Sequence, residues 1–118
     1  MPGISIHVVD VSRGLVAHGM RVSLSLIERN GREVVISTGE IAASGLLEDE
    51  RLKKVFDVGC YAARFEIAGY YQRSGVAIPA QPFLDTVSYT FGIDDPCQHY
   101  HLPFKCTPWG YSCFRGGA

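Results

Sequence analysis

The chain has 118 residues, 47% of them hydrophobic and 19% charged, which is the size and composition of one folded domain (residues 1–118) able to bury a core. A formal net charge of −1 supplies no field for nucleic acid or an anionic membrane surface. No apolar run approaches the roughly eighteen residues of a membrane span, so neither kind of partner is expected.

The opening Met-Pro-Gly-Ile-Ser lacks the charged and apolar regions of a secretory signal, and Gly-Gly-Ala is not a peroxisomal address. The expected location is the cytoplasm. The four cysteines, Cys60, Cys97, Cys106 and Cys113, lack C-x-x-C spacing. Free thiols are expected, with two disulfides as the alternative.

Ile4–Asp10 alternates, with Ile4, Ile6 and Val8 on one face and Ser5, His7 and Val9 on the other, so a strand is predicted that carries His7 away from the core. Ser12-Arg-Gly14 and Gly19 bracket a loop holding Leu15 to His18. A second strand is predicted over Arg21–Ile27, with Val22, Leu24 and Leu26 inward. Asn30-Gly31 then marks a type I′ hairpin turn, and Glu33–Ser37 returns. Thr38–Asp57 carries a weaker pattern, and Leu46–Val55 reads as a helical turn or a charged connection. Cys60–Ile67 alternates again, Ala68–Ser74 suits one short helix, and Phe83–Phe91 is rich in β-prone residues. After a turn over Gly92–Pro96, His99–Phe104 and Tyr111–Arg115 complete the strands. The aromatic content of the last twenty residues predicts a docked terminus. Short strands with polar turns imply an all-β sandwich without repeats or linkers.

His99 and His101 point the same way on a strand. They are either polar residues on a half-exposed face, part of a zinc site completed by His7, or the source of a general base. Cys106 or Cys113 as nucleophile is the lesser option, since buried cysteines are usually inert. Arg115 suits an anionic substrate through its planar fork, or an ion pair within the chain.

Several short motifs together resemble one family. Ile6-His-Val-Val-Asp10, Gln81-Pro-Phe-Leu84, Asp95-Pro, His99-Tyr-His-Leu-Pro103, Pro108-Trp-Gly-Tyr-Ser112 and Phe114-Arg-Gly-Gly117 are similar in order and spacing to those of 5-hydroxyisourate hydrolases, the transthyretin-related enzymes of urate breakdown. The resemblance implies a transthyretin-like sandwich of two four-stranded sheets with one short helix. It also implies a homotetramer, a dimer of dimers with sites in a channel between dimers. The implied reaction is hydrolysis of a cyclic amide of an oxidised purine, with no metal or cofactor. His7 and His101 fall at the catalytic positions, and Arg115, with Tyr111 and the tail, at the substrate-binding ones.

The departures are as informative. Ile41 stands where the family has a functional arginine, Phe114 where it has tyrosine, and Gly117 where it has serine, and Ala118 is an added residue. Two accounts fit this loss of polar groups. The substrate is a less polar, N-methylated hydroxyisourate derived from a methylxanthine, or the scaffold binds a small ligand without catalysis.

Overall fold

The computed structural model describes residues 1–117; Ala118 lies outside the described residues. Eight strands form two four-stranded sheets. One contains β2 (Leu15–Val16), β1 (Gly3–Asp10), β7 (His99–Thr107) and β8 (Gly110–Cys113) in that order. The other contains β4 (Glu33–Glu40), β3 (Arg21–Ile27), β5 (Gly59–Glu66) and β6 (Thr86–Ile93). Among the described residues there is one α-helix, α1 (Ile67–Arg73), which follows β5, and a 3₁₀ turn covers Glu50–Leu52. The expected all-β sandwich with one short helix is what forms. No helix among the described residues is long and apolar enough to cross a membrane.

The alternation in β1 places Ile4, Ile6 and Val8 in the core and leaves Ser5 and His7 half-buried on the opposite face. On β7, Tyr100, Leu102, Phe104 and Cys106 point inward, and His99, His101, Pro103 and Lys105 outward. The two sheets meet where Phe65 of β5 stacks on Phe104 of β7, with ring centroids 3.8 Å apart. Both rings are fully buried, so truncating either removes about 3–5 kcal/mol.

Several predicted elements shift, each for a local reason. Leu15 and Val16, expected in a loop, pair with Asp10 and Val9 because Gly14 turns the chain back on β1. The hairpin after β3 is not type I′: Gly31 alone has positive φ there, at +87°, and Asn30 instead accepts from the Arg32 amide through Oδ1. The wider loop closes with Glu28 N–H donating to the Arg32 carbonyl and Gly31 N–H to the Glu28 carbonyl. β6 begins at Thr86 rather than Phe83, because the Asp85 carbonyl accepts from the first amides of α1. All four cysteines are free thiols.

The last predicted strand, Tyr111–Arg115, stops at Cys113. Phe104 pairs with Cys113, and His101 forms an isolated bridge with Gly116 in the same register. Between them lies Pro103, whose missing N–H faces this edge and interrupts the ladder. The terminus is nonetheless docked, since the Gly116 amide donates to the His101 carbonyl at 2.7 Å.

Candidate active site

β1 and β7 run parallel, pairing Gly3 with His99, Ser5 with His101 and His7 with Pro103. Parallel neighbours in register present their side chains side by side, so Ser5, His7, His99 and His101 share one outer patch. Residues more than ninety positions apart thus meet: the Ser5 hydroxyl lies 2.8 Å from His99 Nε2 and 2.6 Å from His101 Nδ1. Burial is the main influence on His101, with the neighbouring His7 and His99 acting in the same direction, and together they hold its pKa below the ordinary 6.5. Near neutral pH its imidazole is uncharged and able to accept a proton.

Each of these two imidazoles rests against a glycine. Leu46 bridges to His7, and Gly45 at φ +87° lets the chain pass so close that any Cβ there would collide with the His7 ring and with Val16. On the other side, a Cβ on Gly116 would lie 2.8 Å from His101 Cδ2 and 3.1 Å from the Pro103 ring. Backbone without side chains therefore walls the patch on both edges. Next to it opens a groove of about 650 Å³, lined by Met1, Pro2, Leu46, Leu47, Leu52 and the charged Glu48–Glu50 turn with Lys53. Its lining includes Ser5 and His99 but not His7 or His101.

The remaining expected site residues divide. Phe114 lies on the histidine side, 49% exposed, with Lys105 Nζ 5.9 Å above its ring. Gly117 is exposed, with open space where a side chain would be. Arg115 is turned to the other side of the sheet by strand parity. Its guanidinium stacks 4.0 Å over Tyr100 and donates to Gln98 Oε1 at 2.9 Å and to the His99 carbonyl at 3.3 Å. These partners are neutral, so neither is the ion pair that sequence allowed. Tyr111 pairs with Cys106 on the inner face and stacks on Phe104, away from the histidines. Ile41, expected at the substrate, is instead a core residue at 1% exposure and is not part of the lining of the groove beside Ser5 and His99. Its neighbours explain this, because the backbone pairs of Ile41 with Gly19 and Met20 tie it to a buried stretch.

The cysteine option loses ground, since burial pushes the thiols of both Cys106 and Cys113 up to about 11. Among the described residues no three of His, Cys, Asp and Glu converge in a way that could hold a metal ion. Ser5 was legible only as a face residue beside His7. Its contact with the His-x-His pair depends on β1 lying next to β7, which no local pattern encodes.

Residues 4–116 match the HIUase/Transthyretin family. The 5-hydroxyisourate hydrolase of Deinococcus radiodurans is 37% identical over 119 residues, covering 98% of this chain and 96% of that protein. The structure of Klebsiella pneumoniae 5-hydroxyisourate hydrolase is similar with a TM-score of 0.81 and 26% identity, covering 99% of this chain and 100% of that one. Sea bream transthyretin in complex with thyroxine has a TM-score of 0.79 at 21% identity, with 98% of each chain covered, a likeness of fold alone.

Proposed function

The chain belongs to the HIUase/Transthyretin family, and from that premise we propose that it hydrolyses the cyclic amide ring of 5-hydroxyisourate in urate breakdown, by histidine-activated water. The observation that carries this reading is the outer patch on which the β1–β7 register sets His7, His99 and His101 together with Ser5, whose hydroxyl contacts two of the three imidazoles. His101 removes a proton from water as the oxygen attacks the ring carbonyl. When the carbon–nitrogen bond breaks, that proton passes to the leaving ring nitrogen. His7, beside it, orients the water or the ring. Phe114 and the exposed Gly117 bound the substrate, while Arg115, held over Tyr100 on the other side of the sheet, does not reach this face within the chain.

The same reading has the protein working in the cytoplasm as a homotetramer, with the histidine face of one dimer covered by the other. Light scattering on the eluted protein measures this: a monomer overturns the assembly. No metal or cofactor enters the proposed reaction.

A second reading, N-methylated hydroxyisourate as substrate, is favoured by Phe114. An exposed apolar ring stands on the histidine face where the resembling signature has a tyrosine, and Gly117 lacks the signature's closing hydroxyl. Methylation removes N–H donors that such hydroxyls would pair with. Ile41, being in the core, lends this reading nothing.

One experiment addresses both. 5-Hydroxyisourate and its 1,3,7-trimethyl analogue are generated in situ, and their ultraviolet decay is followed with and without protein. Faster decay than the spontaneous rate is expected, and the ratio of the two accelerations assigns the ring. Unchanged decay of both, with folded protein, overturns hydrolysis in favour of a small-ligand-binding protein.

A further inference from the structure

A hydroxyl placed between two nitrogens has one proton to give, so it donates to one partner and accepts from the other. Ser5 Oγ is in this position between His99 Nε2 at 2.8 Å and His101 Nδ1 at 2.6 Å. What sets the direction lies one step further out. The second nitrogen of His99, Nδ1, is 3.4 Å from the Pro2 carbonyl oxygen. A carbonyl only accepts, so the form of His99 with a single ring proton carries it on Nδ1, toward Pro2, and Nε2 presents a lone pair. Ser5 then donates to His99 Nε2 and accepts from His101 Nδ1–H. This leaves a lone pair on His101 Nε2, which makes no hydrogen bond to any other described residue.

We propose that Ser5 and His99 are positioning residues that hold His101 in its Nδ1–H tautomer, with Nε2 free to take a proton. The purpose of this arrangement rests on the hydrolase reading; the arrangement itself does not. In the opposite tautomer Nε2 would carry the hydrogen and could only donate, so the base would be lost. The strand register makes the chain of contacts possible. Ser5 is directly opposite His101, whereas the residue opposite His99 is Gly3, which has no side chain to come between His99 and Ser5.

The direction of the hydrogen bonds also suits the reaction. As water forms a bond to the carbonyl carbon, its proton moves to His101 Nε2. The resulting imidazolium keeps Nδ1–H on Ser5, Ser5 keeps its proton on His99, and His99 keeps its own on the Pro2 carbonyl. No hydrogen bond reverses. The proton on Nε2 then goes to the ring nitrogen as the carbon–nitrogen bond breaks, and neutral His101 returns.

Tautomers are read directly by long-range proton–nitrogen correlation spectra of ¹⁵N-histidine-labelled protein, with His101 assigned by the loss of its signals in His101→Gln. Above the titration of His101, the expected result is a protonated Nδ1 and an unprotonated Nε2. Ser5→Ala should shift the ring toward the Nε2–H form and lower kcat by about tenfold with KM changed less than about twofold; Ser5→Thr, which keeps the hydroxyl, should restore both. His101 found as Nε2–H in the parent protein overturns the proposal, as does an unaltered tautomer in Ser5→Ala. Absence of hydrolysis alongside an Nδ1–H tautomer that collapses in Ser5→Ala rejects the hydrolase reading and keeps the relay.

Discussion

β1 and β7 carry a polar cluster at each end, and the two clusters are built on opposite terms. At the C-terminal end of β1, Asp10 is fully buried, and four side chains donate to its carboxylate. They are Ser12 at 2.6 Å, Tyr71 at 2.7 Å, Arg13 at 2.8 Å and Tyr70 at 3.1 Å. Burial by itself would raise the Asp10 carboxyl, but these donors outweigh it and hold its pKa below the ordinary 3.8. The Tyr71 hydroxyl is pushed far above its normal range, chiefly by its own burial. Two of the four donors come from α1, so the network is the clamp that fixes the helix to the sheet. At the other end, Ser5, His99 and His101 are only half-buried, and the chain of hydrogen bonds ends on an unused nitrogen. A saturated network spends its polar capacity on stability, whereas one with a spare lone pair keeps something for a reactant.

The comparison predicts that damage at one end should separate from damage at the other. The largest effect is expected from His101→Ala. Turnover should fall by about 10²–10⁴-fold, the usual share of a general base, with the circular dichroism spectrum and urea midpoint close to those of the parent. Full activity in this variant would remove His101 from the mechanism.

Asp10→Ala should do the reverse. It removes the carboxylate acceptor of two buried tyrosine hydroxyls, leaving Tyr71 only the longer contact to the Cys106 carbonyl, so about 3 kcal/mol of stability should disappear in urea unfolding, while turnover per folded molecule is retained. An undamaged urea midpoint would mean that the clamp is dispensable.

Gly116→Ala tests the wall of the site rather than its chemistry. The added methyl meets His101 Cδ2 at 2.8 Å, so the ring must shift. The loss in turnover should be about tenfold, because reacting groups tolerate little displacement, and the loss in stability should stay under about 1 kcal/mol. Equal turnover in this variant would show that the ring has room to spare.

The smallest effect is in pH dependence, and the two ends again differ. Below pH 6.5 the unfolded chain takes up a proton that folded His101 refuses, so its contribution to stability is full above 6.5 and is lost as pH falls toward its lowered folded value. The acid limb of kcat/KM should follow the same lowered value. Asp10 contributes fully above 3.8 and loses its contribution as pH falls through its own depressed value. Urea titrations from pH 7 to pH 3 should therefore show two separate declines, and only the first should disappear in His101→Gln.

Much of this molecule could be read along the chain. Period-two alternation placed Ile4, Ile6 and Val8 inward and His7 outward. It also marked β3 with its observed ends, and the short helix expected over Ala68–Ser74 forms one residue earlier, over Ile67–Arg73. The motifs around His7, His99 and His101 pointed to the family. These are local signals, because the pleat and the helical turn impose their periods on neighbouring residues.

Other features were set only when the chain folded. Strand parity past Pro103 turned Arg115 toward Tyr100 and left Phe114 with the histidines. The core claimed Ile41, although its position in the motif suggested a pocket. The parallel pairing of the first long strand with one near the end of the chain brought the Ser5 hydroxyl to two histidines. Which strands become neighbours is decided by the burial of whole sheet faces against each other, a property of the assembled sandwich that no stretch of sequence carries alone.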